Sequence, residues 1–410
     1  MQEVLMTLDP KILGQKLKQA RVARGLRQEE VAEKLELVRT TLVAMEQGTR
    51  RVTAKELVQL AELYARPLSE WLGEEPAPVP LPPQFRAPSV QSRLTEMELQ
   101  RAVGELESLA RDYLELERIN KMPLVRRYPP VYAHEAPGVQ PDACGEEVAA
   151  SERTRLGLGD GPLLDLRSLL EESVGLRIFY YDLPSLVGGL YAYSEDLGGC
   201  IAINRRHPAP RATWSLAHEY GHFLSTRYAA DVSLMKDEPW GKAAAERFAD
   251  AFTKNFLMPR TGVNRLLTEA VRSHGKGVTV ADVMTLAHQF RVSAEAMFRR
   301  LEELKRLPSG TWDKLRQQRF EPEKARAALG LVASEHAEPM LPFRYRVLAL
   351  WGYDEQETEA LTEAQVCHFL RMDRVQARQE LDRLRLMTDR PGNDGFEPFG
   401  MNPEEVLVPA

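Results

Sequence analysis

Apolar positions recur at helical spacing along most of the chain and at strand spacing in one short stretch. Over residues 11–73, Ile12, Leu17, Ala20, Val31, Leu42, Met45, Leu57, Leu60 and Leu72 fall on such stripes and predict five short helices, enough for a small all-helical domain. Residues 74–89 carry Glu-Glu-Pro-Ala-Pro-Val-Pro-Leu-Pro-Pro, with no packing periodicity, and predict an extended spacer. A long amphipathic helix is predicted over 95–120, with Leu99, Val103, Leu106, Leu109, Tyr113 and Leu116 on one face and Thr95 and Glu98 spaced as a capping box. That stripe needs a cover. The domain that follows it is the first choice, and the same helix of a second copy, giving a homodimer, is the alternative.

A proline-rich loop over 122–141 leads into helices at about 146–156 and 163–173. The period then shortens to two: residues 177–181, 189–193 and 200–203 are rich in Tyr, Ile and Phe and predict three short strands, with turns at Pro184 and at Gly198-Gly199. Helical spacing returns at 212–224 and 242–257, where Pro259 stops it, and again at 279–290 and 293–304. Residues 341–386 hold a further helix pair, 362–370 and 374–386, for which the sequence offers no chemistry. The tail after Asp389 is predicted to be loop.

Composition narrows the classes. A chain of 410 residues accommodates two to four units, and a net charge of −6 confines any nucleic-acid contact to a local surface. Cys144, Cys200 and Cys367 are scattered without a C-x-x-C pair, which argues against a disulfide framework or an iron–sulfur site and fits a reducing cytoplasm. No basic leader precedes an apolar run near the N-terminus, and no run approaches the length of a membrane span. A cytoplasmic protein is expected.

One pentapeptide carries reaction chemistry. In His218-Glu219-Tyr220-Gly221-His222 the two imidazoles stand four residues apart, one helical turn, so both can grip one ion while Glu219 reaches a bound water as general base. Apolar neighbours at helical spacing bury this helix. Downstream, Glu246 and Asp250 share a helix face. Glu246 suits the third ligand position, and Asp250 is suited to hold the second nitrogen of a ligating histidine. Zinc is the expected metal, with manganese or cobalt also compatible with this donor set. Tyr191, Tyr193, His207 and Tyr228 are candidates for stabilising an oxyanion, and the strands at 191–193 and 200–203 are candidates for lining the cleft.

The same residues carry a family resemblance. The HExxH helix, the later Glu246-x-x-Ala249-Asp250-x-Phe252-x-x-x-Phe256-Leu257-Met258-Pro259, the strand Cys200-Ile201-Ala202-Ile203-Asn204 and Leu286-Ala287-x-x-Phe290-x-Val292-Ser293 together resemble the ImmA/IrrE-type metallopeptidases over about 146–304. Asp250 stands where Asn is frequent in that family and Trp214 where Phe is frequent. Near the N-terminus, Gln28, Val31, Ala32, Leu42, Met45-Glu46 and Gly48 resemble the Xre or lambda-repressor helix-turn-helix class, with Glu36 replacing the usual turn glycine. That resemblance implies that Arg39, Thr40 and Thr41 face base edges and that Gln28 positions a phosphate. Residues 1–72 hold 12 Lys or Arg and 10 Asp or Glu, 12 − 10 = +2, so nonspecific DNA affinity should be weak. Protein contact is the alternative use of this domain.

The resulting expectation is a multidomain, mainly α chain. An all-α helix-turn-helix domain spans 1–73, a linker 74–94, an α+β zincin-like metallopeptidase domain with a small sheet 95–310, and a helical module of unknown role 311–410. Its expected function is a metal-dependent endopeptidase and transcriptional regulator of the stress-response kind, cleaving a protein partner, most simply a repressor. The alternative is a DNA-binding factor whose peptidase-like domain senses a metal, ligand or partner without cutting.

Overall fold

The computed structural model describes residues 10–23, 26–35, 37–64, 93–132, 140–228, 244–331, 338–354 and 361–388. The chain separates into two compact units, Met1–Arg111 with Val125–Met340, and Asp112–Leu124 with Leu341–Ala410. Within the first, four helices make the N-terminal domain: α1 (Pro10–Ala23), α2 (Gln28–Lys34), α3 (Arg39–Glu46) and α4 (Ala54–Tyr64). Leu17, Val31, Leu42, Leu57, Leu60 and Tyr64 are fully buried between them. Glu36, the expected fifth helix with Leu72, and the proline-rich spacer lie outside the described residues.

The larger body of this unit surrounds a three-stranded sheet. Its helices are α5 (Arg93–Ile119), α6 (Pro141–Arg155), α7 (Leu166–Leu169, continued by a π turn to Val174), α8 (Ala209–Ser225), α9 (Ala244–Leu257), α10 (Arg260–His274), α11 (Val280–Gln289) and α12 (Ala294–Glu303). Helix α5 begins at Arg93, two residues before the expected cap Thr95. Helix α6 begins five residues earlier than its apolar pattern suggests, because Pro141 sits at the first helical position, where its missing N–H costs nothing. Strands β1 (Arg177–Tyr181), β2 (Gly189–Ser194) and β3 (Gly198–Asn204) order as β1-β3-β2, with β3 parallel to β1 and antiparallel to β2. Gly198 and Gly199, expected in a turn, instead open β3, and the turn is made by the three residues before them.

Alternation along the strands divides the sheet's side chains between two cores. Ile178, Tyr180, Tyr191, Ile201 and Ile203 face the core shared with α8 and α9. Phe179, Tyr181, Cys200 and Ala202 point the other way, where the Tyr181 hydroxyl donates to the Ala102 carbonyl of α5 at 2.6 Å. The apolar stripe of α5 is thus buried within the single chain at Ala102, Leu106, Leu109 and Ala110. Two short helices, α13 (Thr311–Gln317) and α14 (Pro322–Ala328), also belong to this body, since Trp312 packs on Phe298 of α12 with ring centroids 5.5 Å apart. The expected boundary at 310 therefore moves to about 340.

The second unit contains α15 (Phe343–Asp354), α16 (Glu363–Leu370) and α17 (Arg374–Arg385), packed with the end of α5. Tyr113 meets Tyr345 edge to face at 5.2 Å, Arg371 pairs with Asp112 at 2.7 Å, and the Asn120 amide donates to the Leu348 carbonyl.

Helix α9 is held by unusually close approaches. A β-carbon at Gly145 of α6 would fall 2.6 Å from the Phe248 carbonyl oxygen and 2.8 Å from the Phe252 nitrogen. At Gly221 of α8 it would lie 3.1 Å from the Ala249 Cα. Neither neighbour can yield, because both are backbone. Gly145→Ala should therefore destabilise the fold by about 1–3 kcal/mol in chemical denaturation. Gly161→Ala, where an added carbon meets nothing within 4 Å, should stay within about 0.5 kcal/mol of the parent. Equal stabilities would show that α6 and α9 are not in backbone contact.

Candidate metal centre

Helix α8 buries nearly every residue from Ala212 to Ser225, so its histidines are fixed by packing. His218 and His222 lie one turn apart with Nε2 atoms 3.2 Å from each other. From α9, Glu246 brings Oε2 to 3.3 Å from His218 Nε2 and Oε1 to 3.3 Å from His222 Nε2. These three residues form a group whose donor atoms all lie within 4.8 Å of one another. Metal bonds of about 2.0–2.1 Å set the edge of a tetrahedron at about 3.3 Å, close to the 3.2 Å between the two nitrogens, and each nitrogen has one of the two Glu246 oxygens 3.3 Å away. Two nitrogens and one carboxylate on three corners leave the fourth open, and the residues present fit a zinc-type ion.

One turn after Glu246, Asp250 Oδ1 stands 3.3 Å from His218 Nδ1, which fixes the tautomer that turns Nε2 toward the other donors. Burial alone would lower the His218 pKa, but the hydrogen bonds to Asp250 and Glu246 and the charge of Glu219 outweigh it and raise it to about 10. For Glu246 burial works upward, and the hydrogen bonds and charges of the two histidines prevail, holding its carboxyl far below the usual range. The carboxylates of Glu246 and Asp250 thus converge on the imidazole nitrogens.

Glu219 is fully buried and lies against the sheet at Gly189, where a β-carbon would fall 2.8 Å from its Cγ and its Oε1. Only glycine lets β2 come this near. The Asn204 backbone N–H donates to the Gly188 carbonyl, so in the antiparallel β2–β3 pairing residues 188, 190 and 192 face β3 and Gly189, Tyr191 and Tyr193 turn their backbone groups outward. Of the two strands expected to line a cleft, β3 has a neighbour on either side, and β2 is the edge. The approach of β2 is set by Asn204, whose buried amide donates to the Leu183, Pro184 and Val187 carbonyls at 3.2, 3.2 and 2.9 Å.

The candidate oxyanion residues separate. The Tyr191 hydroxyl is buried and donates to the Arg227 carbonyl at 2.9 Å. His207 has its Nε2 3.2 Å from the Ser185 carbonyl, on the loop ahead of β2, and burial lowers its pKa. Tyr193 packs edge to face with Tyr228, centroids 5.4 Å apart, and the Tyr228 side chain is exposed.

A second network escaped sequence reasoning. On α6 the fully buried Glu152 accepts from the Tyr220 hydroxyl at 2.6 Å and from Arg155 at 2.7 Å, and Arg155 Nη2 also lies 3.3 Å from that hydroxyl. Tyr220 is the residue between Glu219 and Gly221, so this bond ties the metal helix to α6. Only the i, i+3 spacing of a Glu and an Arg signalled it, and that pattern is common on solvated faces.

In the N-terminal domain Arg39 and Thr40 are exposed at the start of α3, Thr41 is half-buried, and Arg39 stands 3.4 Å from Glu29. Gln28 has a partner inside the domain, since its amide donates to the buried Glu46 carboxylate at 2.8 Å. Glu46 also accepts from Arg21 Nε at 2.5 Å and Nη2 at 3.1 Å, so one carboxylate joins α1, α2 and α3.

A small sheet, an HExxH helix and a carboxylate from the next helix define a metallopeptidase-like centre. Residues 171–302 match the family model of the IrrE N-terminal-like domain, a peptidase family, and residues 17–71 match a helix-turn-helix model. A search of curated proteins gives no match. The chain thus combines a helix-turn-helix domain with an IrrE-like peptidase domain, as fits a regulator. No helix among the described residues is long and apolar enough to cross a membrane.

Replacing Asp250 with alanine should weaken zinc binding by about 10–100-fold in a competition titration against a chelating indicator, while Glu246→Ala should weaken it further. Unchanged affinity in Asp250→Ala would remove its role in orienting His218.

Proposed function

We propose that this protein is a metal-dependent endopeptidase and transcriptional regulator of the cytoplasm, binding DNA through its N-terminal domain and cleaving a protein partner, most simply a repressor. The observation that carries the reading is the buried Glu219 beside the three-donor set, because a site that only held an ion would not need it. His218, His222 and Glu246 would hold zinc, or manganese, which would supply Lewis-acid polarisation and lower the pKa of water. Glu219 takes the proton of the attacking water and returns it to the leaving amine. Asp250 keeps the His218 ring in place. Substrate backbone pairs with the outward N–H and C=O groups of Gly189 and Tyr191, which brings an extended peptide beside Glu219.

Glu219→Gln preserves size and hydrogen bonding and removes the base, so it should retain zinc and lose peptide cleavage, whereas His218→Ala should lose both. Cells carrying Glu219→Gln should also fail to induce the target genes. If regulation survives Glu219→Gln and is lost with His218→Ala, occupancy of the metal site carries the signal and cleavage does not. Gly189→Ala should reproduce the Glu219→Gln phenotype with zinc affinity intact, since the added carbon displaces the carboxylate.

For the DNA-binding domain, Arg39→Ala should weaken a specific operator by about 1–3 kcal/mol in a salt-controlled titration and leave random DNA nearly unaffected. Equal loss on both would place Arg39 on phosphate.

A further inference from the structure

Among the described residues, helix pairs joined by short turns differ in what the second helix shows to solvent. In the C-terminal pair, α16 ends at Arg371, which takes the left-handed conformation at φ 55° and ψ 37°. Met372 and Asp373 complete a three-residue turn, and Asp373 caps α17 by accepting from the Val375 and Gln376 N–H groups. Val366, Phe369 and Leu370 of α16 and Ala377, Leu381 and Leu384 of α17 are buried, while Tyr345 of α15 anchors the pair by donating to the Phe369 carbonyl at 3.1 Å. This is a helix-turn-helix on a third supporting helix.

The first turns of α17 are unlike the corresponding part of α12. There, Arg291 also adopts a left-handed turn, but Ala294 is buried and Glu295 is ion-paired with Arg299, so the second helix offers an acid and packs into the peptidase core. In α17, Arg374, Val375, Gln376, Arg378 and Gln379 are all exposed, and Val375 stays 66% exposed although it is a β-branched apolar residue with no packing role. Arg374 makes no ion pair among the described residues, and the pair from Arg378 to Glu363 is a surface one that phosphate can displace. Arginine reads guanine O6 and N7, glutamine reads adenine N6 and N7, and an aliphatic side chain meets the thymine methyl. Of the four arginines of α17, Arg383 pairs with Glu380 and Arg385 with Asp354 and Asp382, which leaves Arg374 and Arg378 as the basic groups of its first turns.

From this we infer that α16 and α17 form a second sequence-reading DNA surface, with Arg374, Val375 and Gln379 toward the bases of a major groove. A chain with two readers binds by linked contacts, so either reader raises the effective concentration of the other. The inference is independent of the peptidase reaction.

The test uses the full chain with the N-terminal reader disabled by Arg39→Glu and Thr40→Glu, incubated with a randomised duplex library. Repeated selection should still enrich a defined sequence, and adding Arg374→Ala with Gln379→Ala should lower affinity for that sequence about tenfold or more. Both positions are exposed, so an unchanged thermal midpoint should accompany the loss. Failure to enrich any sequence would overturn the proposal and leave the α17 face to a protein partner. Enrichment unaffected by the added substitutions would overturn it equally.

Discussion

The candidate metal site depends on two helices meeting at backbone distance. Glu246 and Asp250 reach the histidines only if α9 lies directly on α8, and Gly221, placed inside the HExxH sequence itself, removes the side chain that would hold them apart. Gly145 does the same on the other side of α9, so that helix is fixed between two neighbours. The aromatic residues Phe248, Phe252 and Phe256 then fill the space beside the crossing, with successive rings stacked at 6.4 and 5.0 Å. Ligand spacing of about 3.3 Å is the result of this packing and does not require the ligands to find each other in solution.

Rigidity of a different kind holds the N-terminal domain. Its core is small, and the buried Glu46 carboxylate, bonded to Arg21 and Gln28, ties three helices at one point. Both charges are well satisfied, which is the condition under which a buried pair specifies structure without leaving an orphaned group. The second helix of the motif is thereby presented at a fixed angle, as base reading requires.

What was legible in the sequence was whatever depends on short range. The HExxH spacing, the strand period at 177–181 and 189–193, and the helix end before Pro259 follow from local pattern, and the structure has them within a few residues. Arrangement across the chain was not legible. Whether the strand at 191–193 or the strand at 200–203 formed the edge depended on the order β1-β3-β2, which no pairwise spacing encodes. Gly198-Gly199 looked like a turn because two glycines usually mark one; here they open a strand, Gly198 in the left-handed region and Gly199 against Leu176 and Phe223. Gly189 gave no signal, and Glu152 gave only an i, i+3 spacing common on solvated faces, since a lone acid or glycine acquires meaning only from what the fold places opposite it.

The three donors are not equally sheltered. The His222 side chain is fully buried within α8, whereas Glu246 leaves 33% of its side chain open to solvent. An ion held there would exchange past the carboxylate, so its release would depend on water reaching one side chain at the rim and would not require the helix core to unpack.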